Sequence, residues 1–335
     1  MIIKHHKNDL SPLIGKITWS GSRLQVARKL QFDYKQDARD PNLPNYPINN
    51  GETVYGYTED GKLVFQGNVY KVEKDTQAST VSILAYDHLW VMTRSKTTKK
   101  YKNANPADIA KGLCGELGVK PGNIINPGVN VSFIASAKTG YQIIMAAYTE
   151  ASKQTGKKYH PIMNGDTLDI VERGTMIADF EADDRINLTN SRYSESIEQI
   201  INQVLVTDEQ GNSVSIEKDA DSIKKYSMFQ EVYKNSKNED NAANIKKLLE
   251  KSKPDRSGSL EALGDYRAVA PYSIKVRDNL FTGKFWVKSD AHTWQDGVHT
   301  MRLEMEFEEL MNEEKADKEK EEKPKKSSKS SKSNK

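Results

Sequence analysis

Histidine and cysteine are the residue types in this chain that could bind a metal ion or supply a nucleophile. The chain has six histidines and one cysteine among 335 residues. His292 and His299, with Asp290 and Asp296 nearby, form the densest group of possible metal ligands in the sequence. Their spacing matches no established ligand pattern, and Asp296 is followed by glycine, as in a tight turn. We therefore interpret residues 289–297 as a polar turn without metal binding or catalysis, in which replacing His292 costs little stability.

A single cysteine, Cys114, excludes an intrachain disulfide and a zinc site with several cysteines. Cys114 could act as a nucleophile with His160 as its base, and the sequence leaves this pairing open. No neighbouring residue marks the thiol as activated, however. A buried structural thiol is the favoured interpretation, because free cysteine is among the most frequently buried residue types.

Motifs of the common catalytic classes are missing from the sequence. Residues 165–167, Gly-Asp-Thr, lack the closing glycine of an aspartic-protease loop, and there is no Gly-x-Ser-x-Gly, phosphate-binding loop or His-Glu-x-x-His. We expect no catalytic residue, no cofactor and no metal. Trp19, Trp90, Trp286 and Trp294 could line a sugar-binding platform, but packing inside β-barrels is the favoured interpretation.

The charge of the chain is concentrated at one end. Residues 312–335 hold nine Lys against six Asp or Glu, whereas the other 311 residues hold 41 of each sign. A neutral body lacks the basic field of a generic nucleic-acid-binding protein. No stretch approaches the roughly 18 uncharged apolar residues of a membrane span, and the N-terminus lacks a signal-peptide core. We expect synthesis in the cytoplasm without an export signal and no membrane association.

The elements that would position any site are mainly strands in the first 95 residues, where apolar side chains alternate with polar ones. Strands are predicted over residues 14–20, 24–34, 53–57, 62–72 and 79–85. Gly67, inside the long fourth strand, predicts a bulge or a bend. Residues 1–95 are therefore predicted to form a small antiparallel barrel or sandwich.

An α/β domain is predicted over residues 96–185. One helix begins after Asn105 and ends at Gly118, and a second runs over about 140–155. The dipeptide Asn164-Gly165 between two apolar runs predicts a β-hairpin.

Residues 186–311 are predicted to form a second domain that contains a β-barrel. Its expected elements include a short helix from Ser194 or Ser196, a hairpin over 203–217 and a helix over 241–253. The last segment, 312–335, has 15 charged residues among 24 and is predicted to be disordered, because it cannot bury enough apolar surface.

Several segments carry a family resemblance. The longest are residues 17–30, ITWSGSRLQVARKL, residues 81–90, VSILAYDHLW, and residues 283–294, GKFWVKSDAHTW. Shorter ones lie at residues 101–106, 156–161, 194–198, 202–204 and 297–301. In these segments, and in the same order from about residue 14 to residue 310, the chain resembles the XkdQ/YqbQ-type proteins of phage tails. The segment 312–335 lies outside the resemblance.

The resemblance implies a baseplate hub of a contractile phage tail or of a phage-tail-like bacteriocin, in the late-control protein D class. The implied fold is α+β and mainly β, with two tail-tube-like β-barrel domains, an α/β insert domain and a disordered C-terminal tail. The implied assembly is a homotrimer whose two barrels per subunit match a hexameric tail tube to the central spike.

Other partners implied by the resemblance are the tail tube protein, the central spike protein, the tape-measure protein in the channel and further baseplate proteins, which could include a LysM-containing one. The implied location is the baseplate of a virion or of a tail-like particle made in a bacterial cytoplasm. Two alternatives stay open. One is a tail-associated peptidoglycan hydrolase, and the other is a nucleic-acid binder that acts through the Lys-rich tail.

Overall fold

The computed structural model describes residues 1–37, 39–75, 77–237 and 240–316. Within these residues the chain forms 21 β-strands and five α-helices, so the predicted α+β, mainly β class is confirmed. In the same part of the chain, no helix combines the length and the apolar character that crossing a bilayer requires.

The N-terminal strand region is a curled antiparallel sheet around one apolar core. Its strands are β1 (Ile2–His5), β2 (Asn8–Asp9), β3 (Ile14–Ser22), β4 (Lys29–Lys35), β5 (Thr53–Tyr57), β6 (Leu63–Asp75) and β7 (Thr80–Asp87). Every second side chain of a strand faces this core, as Val81, Ile83 and Ala85 of β7 show, since all three are buried. β4 begins only at Lys29, later than the pattern from residue 24 predicts, and the short β1 and β2 were not predicted.

Gly67 lies where β6 changes neighbours. It is in register with Val54 of β5 and with Asp87 of β7. A Cβ atom at this position would lie 2.3 Å from the carbonyl oxygen of Tyr86, so the close approach of the two backbones requires glycine. The register shift of the β6–β7 ladder falls between Val69 and Lys71, a few residues after the predicted site.

The insert region, residues 89–172, packs around a second core. Its elements are α1 (Leu89–Arg94), β8 (Lys96–Ala104), α2 (Pro106–Leu117), β9 (Lys120–Ile124), β10 (Val131–Thr139), α3 (Gly140–Thr155), β11 (Tyr159–Asn164) and β12 (Thr167–Glu172). Asn105 begins α2 as predicted, because its side chain accepts a hydrogen bond from the Ala107 amide at 2.9 Å. The Asn164-Gly165 hairpin is confirmed by the antiparallel pairing of β11 and β12.

The C-terminal strand region encloses a third core. Its elements are β13 (Met176–Asp183), β14 (Leu188–Ser196), β15 (Gln203–Thr207), β16 (Ser213–Lys218), α4 (Ala220–Tyr226), β17 (Gln230–Lys234), α5 (Asn241–Leu249), β18 (Asp255–Leu263), β19 (Ser273–Arg277), β20 (Thr282–Gln295) and β21 (Val298–Glu306). The predicted hairpin of β15 and β16 is confirmed. The predicted helix from Ser194 or Ser196 is wrong: both residues lie in β14 and pair with β18, so the capping pattern had no helix to cap.

The predicted turn over residues 289–297 is also wrong in its extent. β20 continues to Gln295 and pairs with β21 along its length, so only Asp296 and Gly297 turn the chain. Their φ values of 51° and 77° place both in the left-handed region that tight hairpins need. The polar residues Asp290 and His292, which predicted a turn, belong to a strand.

β3 and β20 pair antiparallel, and this pairing joins the two strand regions into one 13-stranded sheet. In its register Trp19 lies opposite His292, and Gly21 lies opposite Asp290. The first and last thirds of the chain are therefore connected by main-chain hydrogen bonds.

The chain after β21 returns to the insert region. Met311 is buried in the second core. Asn312 donates from its side-chain Nδ2 to the Tyr141 hydroxyl at 2.6 Å, and the Glu314 backbone amide donates to Thr149 Oγ1 at 3.2 Å. The first five residues of the tail predicted to be disordered, 312–316, thus lie against α3. The rest of that prediction, residues 317–335, falls outside the described residues.

Candidate functional site: a buried charged junction

Arg28 and Asp290 form an ion pair at the place where β3 and β20 meet. The Arg28 Nη1 atom donates to Asp290 Oδ1 at 3.0 Å, and Nη2 donates to Oδ2 in a second, shorter contact. The Ala270 amide also donates to Asp290 Oδ1, at 2.9 Å. The side chains are 3% and 0% exposed, so each charge depends on the other for compensation.

Two neighbours on β3 shape the space for Arg28. The guanidinium carbon lies 3.8 Å from the centre of a Trp19 ring, in a cation–π contact. A Cβ atom at position 21 would lie 2.6 Å from Arg28 Nη1, so Gly21 leaves the room that the guanidinium occupies. Trp19 and Gly21 therefore provide contact and space for the buried Arg28 guanidinium.

Glu306, at the end of β21, joins all three regions of the molecule. Its Oε1 accepts from Arg23 Nε at 2.9 Å, and its Oε2 accepts from Arg173 Nη2. Arg23 belongs to the N-terminal strand region, and Arg173 follows the last strand of the insert region. Because Arg173 is 0% and Glu306 7% exposed, this contact also lies in the interior.

Asp87 completes the set of buried charges. It accepts hydrogen bonds from the backbone amides of Arg28, at 2.9 Å, and Leu89, at 3.1 Å. These bonds connect the residue before β4 to the first residue of α1. The burial of Asp87 raises its pKa to about 7. We call the group of Arg23, Arg28, Asp87, Arg173, Asp290 and Glu306 the charged junction.

The structure brings His292 and His299 together, and three of their ring nitrogens are engaged in hydrogen bonds with each other and with Ala268. His292 Nε2 lies 3.2 Å from the Ala268 carbonyl, which can only accept, so Nε2 carries the proton. His292 Nδ1 then accepts from His299 Nε2 at 3.1 Å. Asp296 is exposed in the hairpin turn. Burial lowers the pKa of His292 to about 4 and that of His299 to about 3, so both rings are neutral near pH 7.

Comparison with known families decides the relationship of this chain. The sequence profile of the YQBQ-like family matches residues 17–306. The chain belongs to the YQBQ-like family. That match spans every residue of the charged junction, from Arg23 to Glu306.

A curated relative of this YQBQ-like chain is the phage-like element PBSX protein XkdQ of Bacillus subtilis. The two are 22% identical over 302 residues, which cover 86% of this chain and 91% of XkdQ. Among solved structures, the 43 kDa tail protein of prophage MuSo2 from Shewanella oneidensis matches with a TM-score of 0.67 at 13% identity, over 91% of this chain and 97% of that protein. The tail protein from Neisseria meningitidis MC58 matches with a TM-score of 0.60 at 15% identity, over 91% and 95%. These likenesses show a shared fold.

A protein from a secretion system has a related fold. Escherichia coli c3393, described as a component of the type VI secretion system with structural similarity to the T4 bacteriophage tail proteins gp27 and gp5, matches with a TM-score of 0.52 at 9% identity. The match covers 90% of this YQBQ-like chain and 76% of c3393. The fold is therefore not confined to phage particles.

Cys114 lies on α2, fully buried in the second core, where its pKa is raised by burial to about 11. This agrees with the structural thiol and is the reverse of an activated nucleophile. His160 is also buried, on β11, and its pKa is lowered to about 3 by burial and by the positive charges of Arg173, Arg23 and Arg28. Gly165 and Asp166 form the hairpin turn before Thr167 begins β12, and Asp166 pairs with Lys120 at 2.9 Å.

The aromatic residues divide into two groups. Trp19 and Trp294 are 4% and 7% exposed and belong to the N-terminal core, as the packing interpretation predicts. Trp90 and Trp286 are half-buried. Trp90 stacks on Tyr86 with ring centres 4.1 Å apart, which covers one face of its ring.

Sequence reasoning missed the charged junction. Its six members lie on five separate segments of the chain, so no local pattern in the sequence marks them. The one local sign is glycine at position 21, which the sequence does not distinguish from a turn glycine. Chemically, the junction pairs three guanidinium groups with the carboxylates of Asp290 and Glu306, whereas Asp87 accepts from backbone amides. These contacts hold the regions that contribute them in one arrangement.

Proposed function

We propose that this chain is the structural hub of a phage-type tail baseplate, in which three copies form a ring that joins a hexameric tail tube to the central spike. The observation that carries the proposal is the β3–β20 pairing with the Arg28–Asp290 contact inside it. It holds two strand regions side by side in one subunit. Three subunits would then present six strand regions, the number that a hexameric tube requires.

The relatives support a role in a tail. XkdQ is named for a phage-like element, and two of the similar structures are named as tail proteins. The location that follows is the baseplate of a virion or of a tail-like particle. The partners that follow are the tail tube protein, the spike protein, the tape-measure protein on the axis and neighbouring baseplate proteins.

The ends of the 13-stranded sheet also support a ring. Within the described residues, the main strand order begins at β14 and finishes at β2, and a branch through β19 ends at β13, so one subunit has three edge strands. Exposed edge strands can pair with further strands, and a closed cyclic assembly can cover them. Contact between β14 of one subunit and β2 of the next would cover the two ends of the main order.

Electron microscopy of intact particles tests the assembly. Averaged end-on views of the baseplate should show three copies of this chain around the axis, directly below the six-fold tube. A two-fold or a six-fold ring at this level would contradict the proposal. A particle in which the chain lies outside the axial layer would contradict it as well.

We further propose that the hub performs no catalysis. The support is chemical: the arginines of the charged junction pair with Asp290 and Glu306, Asp87 is bonded to backbone amides, and the cysteine is held in its thiol form. A peptidoglycan zymogram with the purified chain, run beside lysozyme, should show clearing for lysozyme alone. A cleared band at the position of this chain would establish the hydrolase alternative instead.

A further inference from the structure

A group of three possible metal ligands lies outside the charged junction, at the far end of the N-terminal sheet. His5, His6 and Glu52 each offer one ligand atom, and these atoms all lie within 4.8 Å of one another. From sequence no site was expected here, because Glu52 is distant from the two histidines along the chain.

Strand register explains how Glu52 reaches His5. His5 of β1 is paired with Val54 of β5, and Glu52 is two residues before Val54. Residues two apart in a strand share a face, so Glu52 is the diagonal neighbour of His5 across the ladder. His5 Nε2 and Glu52 Oε2 are 3.0 Å apart.

His6 joins the pair because of its backbone conformation. In a regular strand, consecutive side chains point to opposite faces, so adjacent histidines would separate. His6 instead begins the β1–β2 turn with a φ of 51°, and its ring centre lies 4.2 Å from that of His5. The turn therefore places two imidazole rings and one carboxylate on the same side of the hairpin.

The buried Nε2 atom of His5 faces the Glu52 carboxylate, which places two possible ligand atoms at the separation that one ion requires. His5 is 3% exposed, and its Nε2 lies 3.0 Å from Glu52 Oε2. Two ligand atoms bound to one tetrahedral zinc ion lie about 3.3 Å apart, close to the observed separation.

We propose that His5, His6 and Glu52 bind a divalent transition-metal ion of the zinc class, with the fourth position left to water. Two imidazoles and a carboxylate are a common ligand set for zinc. The Asn49 amide donates to Glu52 Oε2 at 2.7 Å and orients the carboxylate, as outer partners of metal ligands do. The ion would fasten the β1–β2 hairpin, at the edge of the sheet, to the start of β5.

The test is calorimetric titration of the full chain with zinc chloride, after purification without a polyhistidine tag and dialysis against a chelator. We expect one zinc ion per chain and a higher melting temperature with zinc. Glu52→Gln and His6→Ala should each weaken zinc affinity by about tenfold or more. Both positions are at least partly exposed, so these variants should fold even if a change at buried His5 does not.

Two control variants match the chemistry elsewhere on the chain. Glu59→Gln removes an exposed carboxylate, and His88→Ala removes a half-buried histidine; both should bind zinc as the parent does. Cobalt(II) should give the parent the strong visible absorption of a four-coordinate ion, and the two ligand variants should lose it. No zinc uptake by the parent would overturn the proposal. Unchanged affinity in both ligand variants would also overturn it, because the ion would then lie elsewhere, for example at His292 and His299.

Discussion

Arg28 is a cation with almost no water around it, so its stability in the fold depends on one carboxylate. The bidentate contact with Asp290 supplies that charge, and the Ala270 amide fixes the carboxylate in turn. A buried pair of this kind adds modestly to stability, yet losing one partner is expensive, because it leaves the other charge buried alone. The junction is therefore more sensitive to single substitutions than a surface ion pair.

Asp290→Asn tests this directly. The substitution keeps the size of the side chain and removes its charge, so we expect it to destabilise the fold by about 3–5 kcal/mol. Urea unfolding followed by tryptophan fluorescence measures the change. Glu261→Gln is the matched control, because Glu261 pairs with Arg302 at 3.5 Å on the surface, and it should cost less than about 1 kcal/mol. Equal effects of the two substitutions would contradict the importance of burial.

The buried histidines make stability depend on pH. His292, with a folded pKa of about 4, and His299 and His160, each about 3, stay neutral in the folded chain when unfolded histidine begins to bind protons, at about 6.5. The unfolded state then binds more protons, so stability is complete above about pH 6.5 and falls as the pH decreases toward 4. Asp87, with its pKa raised to about 7, acts in the opposite direction but is one group against three.

Urea midpoints measured from neutral pH down to about pH 4 should therefore decrease steadily. His299→Asn removes one of the three groups, so its midpoint should change less steeply over the same range. A parent midpoint that is constant or that rises on acidification would contradict this account.

His292→Ala is expected to be strongly destabilising, in contrast to the expectation from sequence, because His292 is 0% exposed and bonded to His299 and Ala268.

At the scale of the elements, Met311 is the fully buried apolar side chain of the described segment after β21. Met311 enters the second core, whereas its neighbour Leu310 is 43% exposed. We expect Met311→Ala to cost about 2 kcal/mol and Leu310→Ala less than about 1 kcal/mol. Thermal unfolding of the two single variants measures the difference. Similar melting temperatures would show that the segment does not contribute to the packed structure.

The helices and hairpins with strong local signals could be predicted from the sequence. Asn105 before Pro106 and glycine at 118 fixed both ends of α2, and Asn164-Gly165 located a hairpin. β8 could not be predicted, because its lysines hide the alternation and its exposed face gives no apolar period. The turn assigned around Asp290 failed for a different reason: these polar residues are buried because of Arg28, which is 262 residues away.

Contacts between residues far apart in the chain also explain why the candidate sites could not be predicted. Pairings within one hairpin leave local patterns, but the charged junction depends on contacts between distant strands. His5 and Glu52 likewise meet only through the register of β1 with β5. Such contacts are not visible in residue composition or local spacing. The class of the fold could therefore be predicted from the sequence, but the buried ion pairs could not.

At the scale of the whole molecule, Glu306 couples the three regions, since Arg23 and Arg173 bind it from two of them and Glu306 belongs to the third. We expect the chain to unfold in one cooperative transition in differential scanning calorimetry, with equal calorimetric and van't Hoff enthalpies. Glu306→Gln should lower the transition temperature and broaden the peak, as coupling weakens. Two resolved transitions in the parent would show that the regions unfold independently.

The pairing of β3 with β20 also determines when, during translation, the sheet can form. Arg28 leaves the ribosome long before Asp290, and at 5–20 residues per second the 262 intervening residues take roughly 13–52 s to translate. During that interval the β3 edge has no neighbour and the guanidinium has no counter-charge. The N-terminal strands therefore complete their sheet only after β20 has been synthesised, and a ribosome that stalls before residue 290 leaves a nascent chain with an open, aggregation-prone edge.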